Sequence, residues 1–425
     1  MNPSERGDGM ALQGLLGIAG LLAFGFLLSE DRRNIPWRTV IAGLALQLIL
    51  ALLMLHVPGM TRVFLVLNRA VEAMQSATDQ GTSFVFGYLG GAPLPFAETR
   101  PGSSFILAFR ALPLILTISA LASLLFHWGV LQKLVAGFAW LLRRSMGIGG
   151  ALGLAASVHV FVGMIEAPLL IRPYLARMAR GELFAIMSCG MAGIAGTMMV
   201  IYAAILGPVI PNALANILIA SLISTPAALA VAALMIPFSP SAKEAKLTGE
   251  NGVHGPSHGA MDAIVKGTTD GVTMIVNVVA MLIVLIALVA LADKMLSVLP
   301  QVADSPITLE RMAGAAFAPV MWALGMPWPD ALVAGKLMGS KTVLNEFVAY
   351  LDLAALPADA LSPRSRLMVT YALCGFANCG SIGILIGGIG AMIPERRREV
   401  VVLGGKSVIS GTIATCLSAA VVGLL

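Results

Sequence analysis

The sequence predicts an all-α polytopic membrane protein with about eight spanning helices, two re-entrant hairpins, interfacial helices and an inverted internal repeat. Three observations predict it. The first is composition: of 425 residues, 58% are hydrophobic and 12% charged, with mean hydropathy +0.90, whereas a soluble domain is about a quarter charged. The second is that apolar segments of ~20 residues, enough for a helix to cross a bilayer, recur along the chain. The third is that two further apolar stretches carry a carboxylate at mid-length. An unpaired carboxylate is costly in a soluble core and costlier at membrane depth, where it marks a working site.

The uninterrupted spanning segments are 11–28, 39–57, 105–127, 183–206, 214–236, 272–291, 367–389 and 400–425. Arg32, Arg33 and Arg38 put the first connection in the cytoplasm, so both termini are expected outside. The net charge of +5 comes from basic residues scattered through short loops such as "EDRRNIPWR" and "PERRRE". That distribution is a topology signal and excludes a nucleic-acid surface. Cys189, Cys374, Cys379 and Cys416 lie in apolar segments without CxxC spacing, so free thiols and no metal site are expected. The first apolar segment lacks a small-residue cleavage site and is expected to be retained.

Segment 148–178 reads "IGGALGLAASVHVFVGMIEAPLLIRPYLARM". A single crossing would separate Arg143 and Arg144 from Arg177 and Arg180, so the segment must turn back near "VGMIEAP". Gly163 permits the turn, and Pro168 suits the first turn of the returning helix. Segment 332–353, "LVAGKLMGSKTVLNEFVAYLDL", has the same shape and enters from the other side with "LNEF" at its tip. Each hairpin precedes a span interrupted by small and polar residues, at 193–197 and at 378–381. Such breaks point to discontinuous helices whose ends bind substrate and ions near the midplane. Segments 61–79, with Arg69, Glu72 and Asp79, and 131–142, with Lys133, read as interfacial helices. The hydrophilic linker 239–259, with His254 and His258, reads as a solvated cytoplasmic loop.

Four stretches carry a resemblance: "EAPLLIRPYL" (166–175), "LIASLISTPAALA" (218–230), "GKLMGSKTVLNEFVAY" (335–350) and "SPRSRLMVTYALCGFANCGSIGILIGGIGAMIPERRREVV" (362–401). Together they resemble the concentrative nucleoside transporter family, from about the second span to the C-terminus. The resemblance implies a homotrimeric symporter of the bacterial inner membrane that imports nucleosides on a Na+ or H+ gradient by an elevator motion. Its partners would be nucleoside, membrane lipid and further copies of itself, with no cofactor beyond Na+ as a coupling ion. The implied organisation is N-terminal scaffold and interfacial helices at 1–145 and the first half of a transport domain at 146–237. A linker, scaffold span and interfacial helix follow at 238–322, and the second half of the transport domain at 323–425.

By resemblance, Glu346, beside Asn345, is the ribose-binding carboxylate, Asn378 and Ser381 add hydrogen bonds to the sugar, and Phe376 packs nearby. An ionised carboxylate only accepts, and it takes both vicinal ribose hydroxyls through bonds about twice as strong as neutral ones. The plainer alternative pairs Glu346 with Lys336 or Lys341. In the first hairpin the family reads Gly-Gln-Thr-Glu or Gly-Gln-Ser-Glu, and this chain has Gly163, Met164, Ile165 and Glu166. Two base-reading polar side chains have become apolar; Glu166 is expected to face the substrate, or to cap the returning helix. The family's sodium site maps to His159, Val162, Thr197 and Met198. His159 replaces an asparagine and titrates near neutral pH, which opens proton coupling; the alternative is a core histidine. No GxSxG, HExxH or His/Cys cluster supports an enzyme. Transport of another ribosyl or base-like ligand, and a non-transporting nucleoside sensor, remain the rival readings.

Overall fold

Backbone groups that meet lipid must all be paired internally, and a helix achieves this within one segment. The computed structural model describes residues 3–98, 104–238, 258–302 and 305–425. Within them the chain is helical: α1 (Pro3–Leu27), α2 (Trp37–His56), α3 (Pro58–Phe86), α4 (Leu107–Arg110), α5 (Leu114–His127), α6 (Val130–Met146), α7 (Gly150–Val158), α8 (Glu166–Leu170), α9 (Arg172–Leu175) and α10 (Arg180–Ala192). There follow α11 (Gly196–Leu206), α12 (Ala213–Met235), α13 (Ala260–Leu296), α14 (Leu309–Ala323), α15 (Trp328–Val343), α16 (Glu346–Ala355), α17 (Pro363–Leu373), α18 (Cys379–Met392) and α19 (Arg397–Leu424).

Among the described residues, 7 helical stretches are long and apolar enough to cross a membrane. The eighth expected crossing, 367–389, is divided into α17 and α18, neither long enough alone. The expected segment 272–291 is only the centre of α13, whose 37 residues rise about 55 Å against ~30 Å of hydrocarbon. Its first turns, with Asp262, Lys266 and Asp270, are the excess. The segment expected at 61–79 extends through the whole of α3. The one at 131–142 is α6, bounded by Gly129 and Gly147 at φ 76° and 65°, conformations that stop a helix at little cost to glycine. His254 lies outside the described residues, and the backbone N–H of His258 donates to Asp262 Oδ2 at 2.9 Å at the start of α13.

The order hairpin, broken helix, long helix occurs twice: α7 to α9, α10/α11 and α12, then α15/α16, α17/α18 and α19. The long helices α12 and α19 pack on each other and on the broken ones, and form the buried centre. Helix α1 lies on α19 and α12, and α2 on α12. Helices α5 and α13 pack chiefly on each other. Gly267 allows that approach, because a Cβ there would stand 2.5 Å from the Ser119 carbonyl oxygen. Helix α14, in the stretch where an interfacial helix is expected, runs along α15 of the second hairpin.

Candidate functional site

The second hairpin turns at Leu344 and Asn345. Asn345 Oδ1 accepts the Val348 N–H at 3.0 Å, the side-chain cap that starts α16 at Glu346. Glu346 is 4% exposed. Its Oε1 accepts the Tyr202 hydroxyl at 2.8 Å, and its Oε2 accepts Asn378 Nδ2 at 2.8 Å. Asn378 is itself the cap of α18, with Oδ1 accepting the Ser381 N–H at 2.7 Å. One amide therefore starts a helix with its oxygen and holds the carboxylate with its nitrogen. A carboxylate offers about four acceptor positions, and Tyr202 and Asn378 fill two of them. Neither Lys336 nor Lys341 forms an ion pair with Glu346: Lys341, fully buried, donates to the Ala372 carbonyl at 2.8 Å.

The two helix breaks touch. The Phe376 N–H donates to the Gly193 carbonyl at 3.3 Å. Gly375, at φ 151°, approaches so closely that a Cβ would stand 2.8 Å from the Met191 oxygen and 2.9 Å from the Ala192 oxygen. Only glycine accepts both that backbone conformation and that contact. The side chain of Phe376 is half-buried between the two core clusters.

At the first hairpin tip, Phe161 and Val162 turn their N–H groups back to Val158, each at 2.9 Å, and the Phe161 carbonyl accepts the Gly196 N–H at 3.1 Å. This contact seats the tip on the start of α11. His159, 3% exposed, has no hydrogen-bond partner at Nε2. Thr197 Oγ1 lies 3.7 Å from Met274 Sδ, and the Met198 N–H donates to Ala195 at 2.9 Å. His159, Val162, Thr197 and Met198 therefore flank one junction between the tip and α11. Glu166 opens α8 and is exposed, with its carboxylate folded over Gly163, where any Cβ would collide with it.

Met164 and Ile165 do not project freely. Met164, 6% exposed, rests on Gly190 of α10 with Leu385 beside it, and Ile165 fills the space that a side chain on Gly388 of α18 would need. Asn378 caps α18, and Leu385 and Gly388 are seven and ten residues farther on, so the two tips meet that helix about 10–15 Å apart. Sequence reasoning missed Tyr202 and Tyr350, both fully buried with ring centroids 4.9 Å apart. Tyr350 donates to the Thr370 carbonyl at 2.9 Å. The available signal was a tyrosine inside an apolar span, whose hydroxyl needs a buried partner.

Paired hairpins, helices broken at mid-span and a carboxylate buried between them are the build of a secondary transporter. Residues 216–423 match the family described as "Na+ dependent nucleoside transporter C-terminus", 16–89 the corresponding N-terminus, and 108–209 the family described as "Nucleoside recognition". An "Uncharacterized transporter" of Haemophilus influenzae is 37% identical over 419 residues, covering 97% of each chain. The human "Solute carrier family 28 member 3" is 32% identical over 97% of this chain, which spans 60% of that longer protein. Rat "Sodium/nucleoside cotransporter 1" is 33% identical over 97% of this chain and 64% of its own. A solved structure of CNTnw in an inward-facing substrate-bound state superposes with TM-score 0.87 at 34% identity, covering 98% of this chain and 97% of that one. An outward-facing CNTnw structure gives TM-score 0.86. The chain belongs to the concentrative nucleoside transporter family. It is a multi-pass membrane transporter and not an enzyme.

Proposed function

We propose that this chain is an ion-coupled symporter that imports nucleosides across the bacterial inner membrane by an elevator motion. The observation that carries the reading is Glu346: a buried carboxylate, oriented by Tyr202 and Asn378, with acceptor positions left for vicinal hydroxyls. Asn345, Ser381 and Phe376 complete the sugar side, and Gly163 to Glu166 lie on the base side. The separation along α18 suits a ligand with two dissimilar ends. The moving body would comprise 146–237 and 323–425, working against a scaffold that contains α5 and α13, in a homotrimer with both termini outside.

For the coupling ion, Na+ is favoured by the donors at the first tip: backbone carbonyls around His159 to Val162 and the Thr197 hydroxyl are hard oxygen ligands, and Met198 would contribute through its backbone. A second reading, H+ coupling, is favoured by the buried and unpartnered Nε2 of His159. Uptake of radiolabelled uridine and adenosine into vesicles under separately imposed sodium and proton gradients tests both. Accumulation above the external concentration is expected with one gradient. Binding without accumulation identifies a sensor, and the absence of binding removes the nucleoside reading.

A further inference from the structure

Lys341 is fully buried, near enough to Glu346 for the two groups to interact electrostatically, and the transport reading gives it no role. It lies in the last turn of α15 and reaches across to the carbonyl end of another helix, the half-helix α17. Its Nζ donates to the Ala372 carbonyl at 2.8 Å and lies 3.5 Å from Thr415 Oγ1 of α19. The neighbouring Thr370 carbonyl is taken by Tyr350 of the same hairpin. The last carbonyls of a helix carry partial negative charge, and in a membrane they need either a partner or a cation. A carbonyl and a threonine hydroxyl are the oxygen donors that would also suit a bare monovalent cation.

The matching position in the first repeat is different. The carbonyl end of α10 is met by the Phe376 N–H and the close approach of Gly375, and among the described residues no lysine or arginine donates to it. Both half-helices end at mid-span, but only one end has an ammonium built into the chain.

We propose that Lys341 is a tethered cation: it occupies, in the second repeat, the place that a mobile ion would take at a half-helix carbonyl end, and so confines ion binding to the first break. As a statement about coupling this rests on the symport reading; as a statement about the site it does not. Two substitutions separate charge from volume. Lys341→Met removes the charge and keeps the volume, and Lys341→Ala leaves room for an ion.

The test measures thermal unfolding of the full-length protein in nanodiscs with sodium, n-propylammonium or choline chloride at equal ionic strength. Lys341→Ala is expected to melt higher in sodium or propylammonium than in choline by about 3 °C or more beyond any response of the parent, and Lys341→Met is expected to show no such gain. In vesicles, uptake by Lys341→Ala should depend on the coupling ion more steeply than uptake by the parent. Equal cation responses of the Ala, Met and parent proteins would overturn the proposal, whether or not the parent transports nucleosides. If neither single variant folds, Lys341→Met combined with Thr415→Lys brings the ammonium in from α19: recovery of folded protein supports a tethered cation, and failure to recover it overturns the idea.

Discussion

Glu166 and Glu346 are the first residues of the returning helices of the two hairpins, the same place in each repeat. Glu166 is exposed and folded over its own turn; Glu346 is buried and holds two donors from other helices. The difference arises from the neighbours. Around Glu346 the chain supplies Tyr202, Asn345 and Asn378, and around Glu166 it supplies Met164 and Ile165, seated on glycines. A repeat fixes where a carboxylate stands, and the surrounding side chains decide what it can hold.

The sharpest way to break this comparison is to neutralise each carboxylate. Glu346→Gln should weaken ribonucleoside binding by about 1.5–3 kcal/mol, the size of a hydrogen bond to a charged group, with 2′-deoxynucleosides less affected. Glu166→Gln should cost less than about 1 kcal/mol. Competition binding with uridine and 2′-deoxyuridine reads both, and equal losses at the two sites would erase the distinction.

The next effect concerns the apolar pair. Replacing Met164→Gln and Ile165→Thr together should shift preference towards uridine over adenosine by about 1 kcal/mol, one hydrogen bond to a base edge. A panel of unlabelled nucleosides competing for uptake measures it. A lower melting temperature with unchanged selectivity would mean that the pair serves only to seat the tip on Gly190 and Gly388. At the same tip, His159→Asn should reduce any dependence of uptake on an imposed pH gradient and increase its dependence on sodium. A parent protein that already follows sodium and ignores pH returns His159 to a packing role.

The smallest effect is expected far from the site. Glu30, in the loop after α1, accepts from Arg180 at 3.0 Å and Lys406 at 2.8 Å. The hydrogen bond from Arg180, with help from Lys406, outweighs partial burial and lowers its pKa from 4.5 to about 2. Because the folded value is the depressed one, the stabilisation is full above the ordinary carboxylate range and fades as pH falls from about 4.5 towards 2. Glu30→Gln should therefore cost at most about 1 kcal/mol at neutral pH, and its melting temperature should converge with the parent's across that window.

The hairpins and breaks were legible because the placement of arginines forbids a single crossing, and because Gly, Asn and Ser interrupt runs that lipid would otherwise keep apolar. Glu346 and Asn378 were legible as polar residues at mid-membrane, and by resemblance. Tyr202 was not, since its partner lies 144 residues away in sequence and a tyrosine in an apolar span looks like packing. The full length of α13 was hidden by Asp262, Lys266 and Asp270, which end the apolar run but not the helix. The packing partner of helix α14 was hidden for a related reason. Its contact with α15 depends on small residues, with a Cβ on Gly339 standing 2.5 Å from the Glu310 oxygen, and close backbone packing of that kind leaves no hydrophobic stripe to find.

The contact between the two breaks also fixes an order of events during synthesis. Gly193 cannot find its partner until Phe376 has been made, on the order of 10 s later at ordinary rates of translation. Through that interval the nascent first half presents a half-helix end with nothing across from it, in a layer that supplies no water. A ribosome that stalls between the two repeats would therefore leave a fragment with its own spans and loops but no closed centre, a ready substrate for membrane proteases.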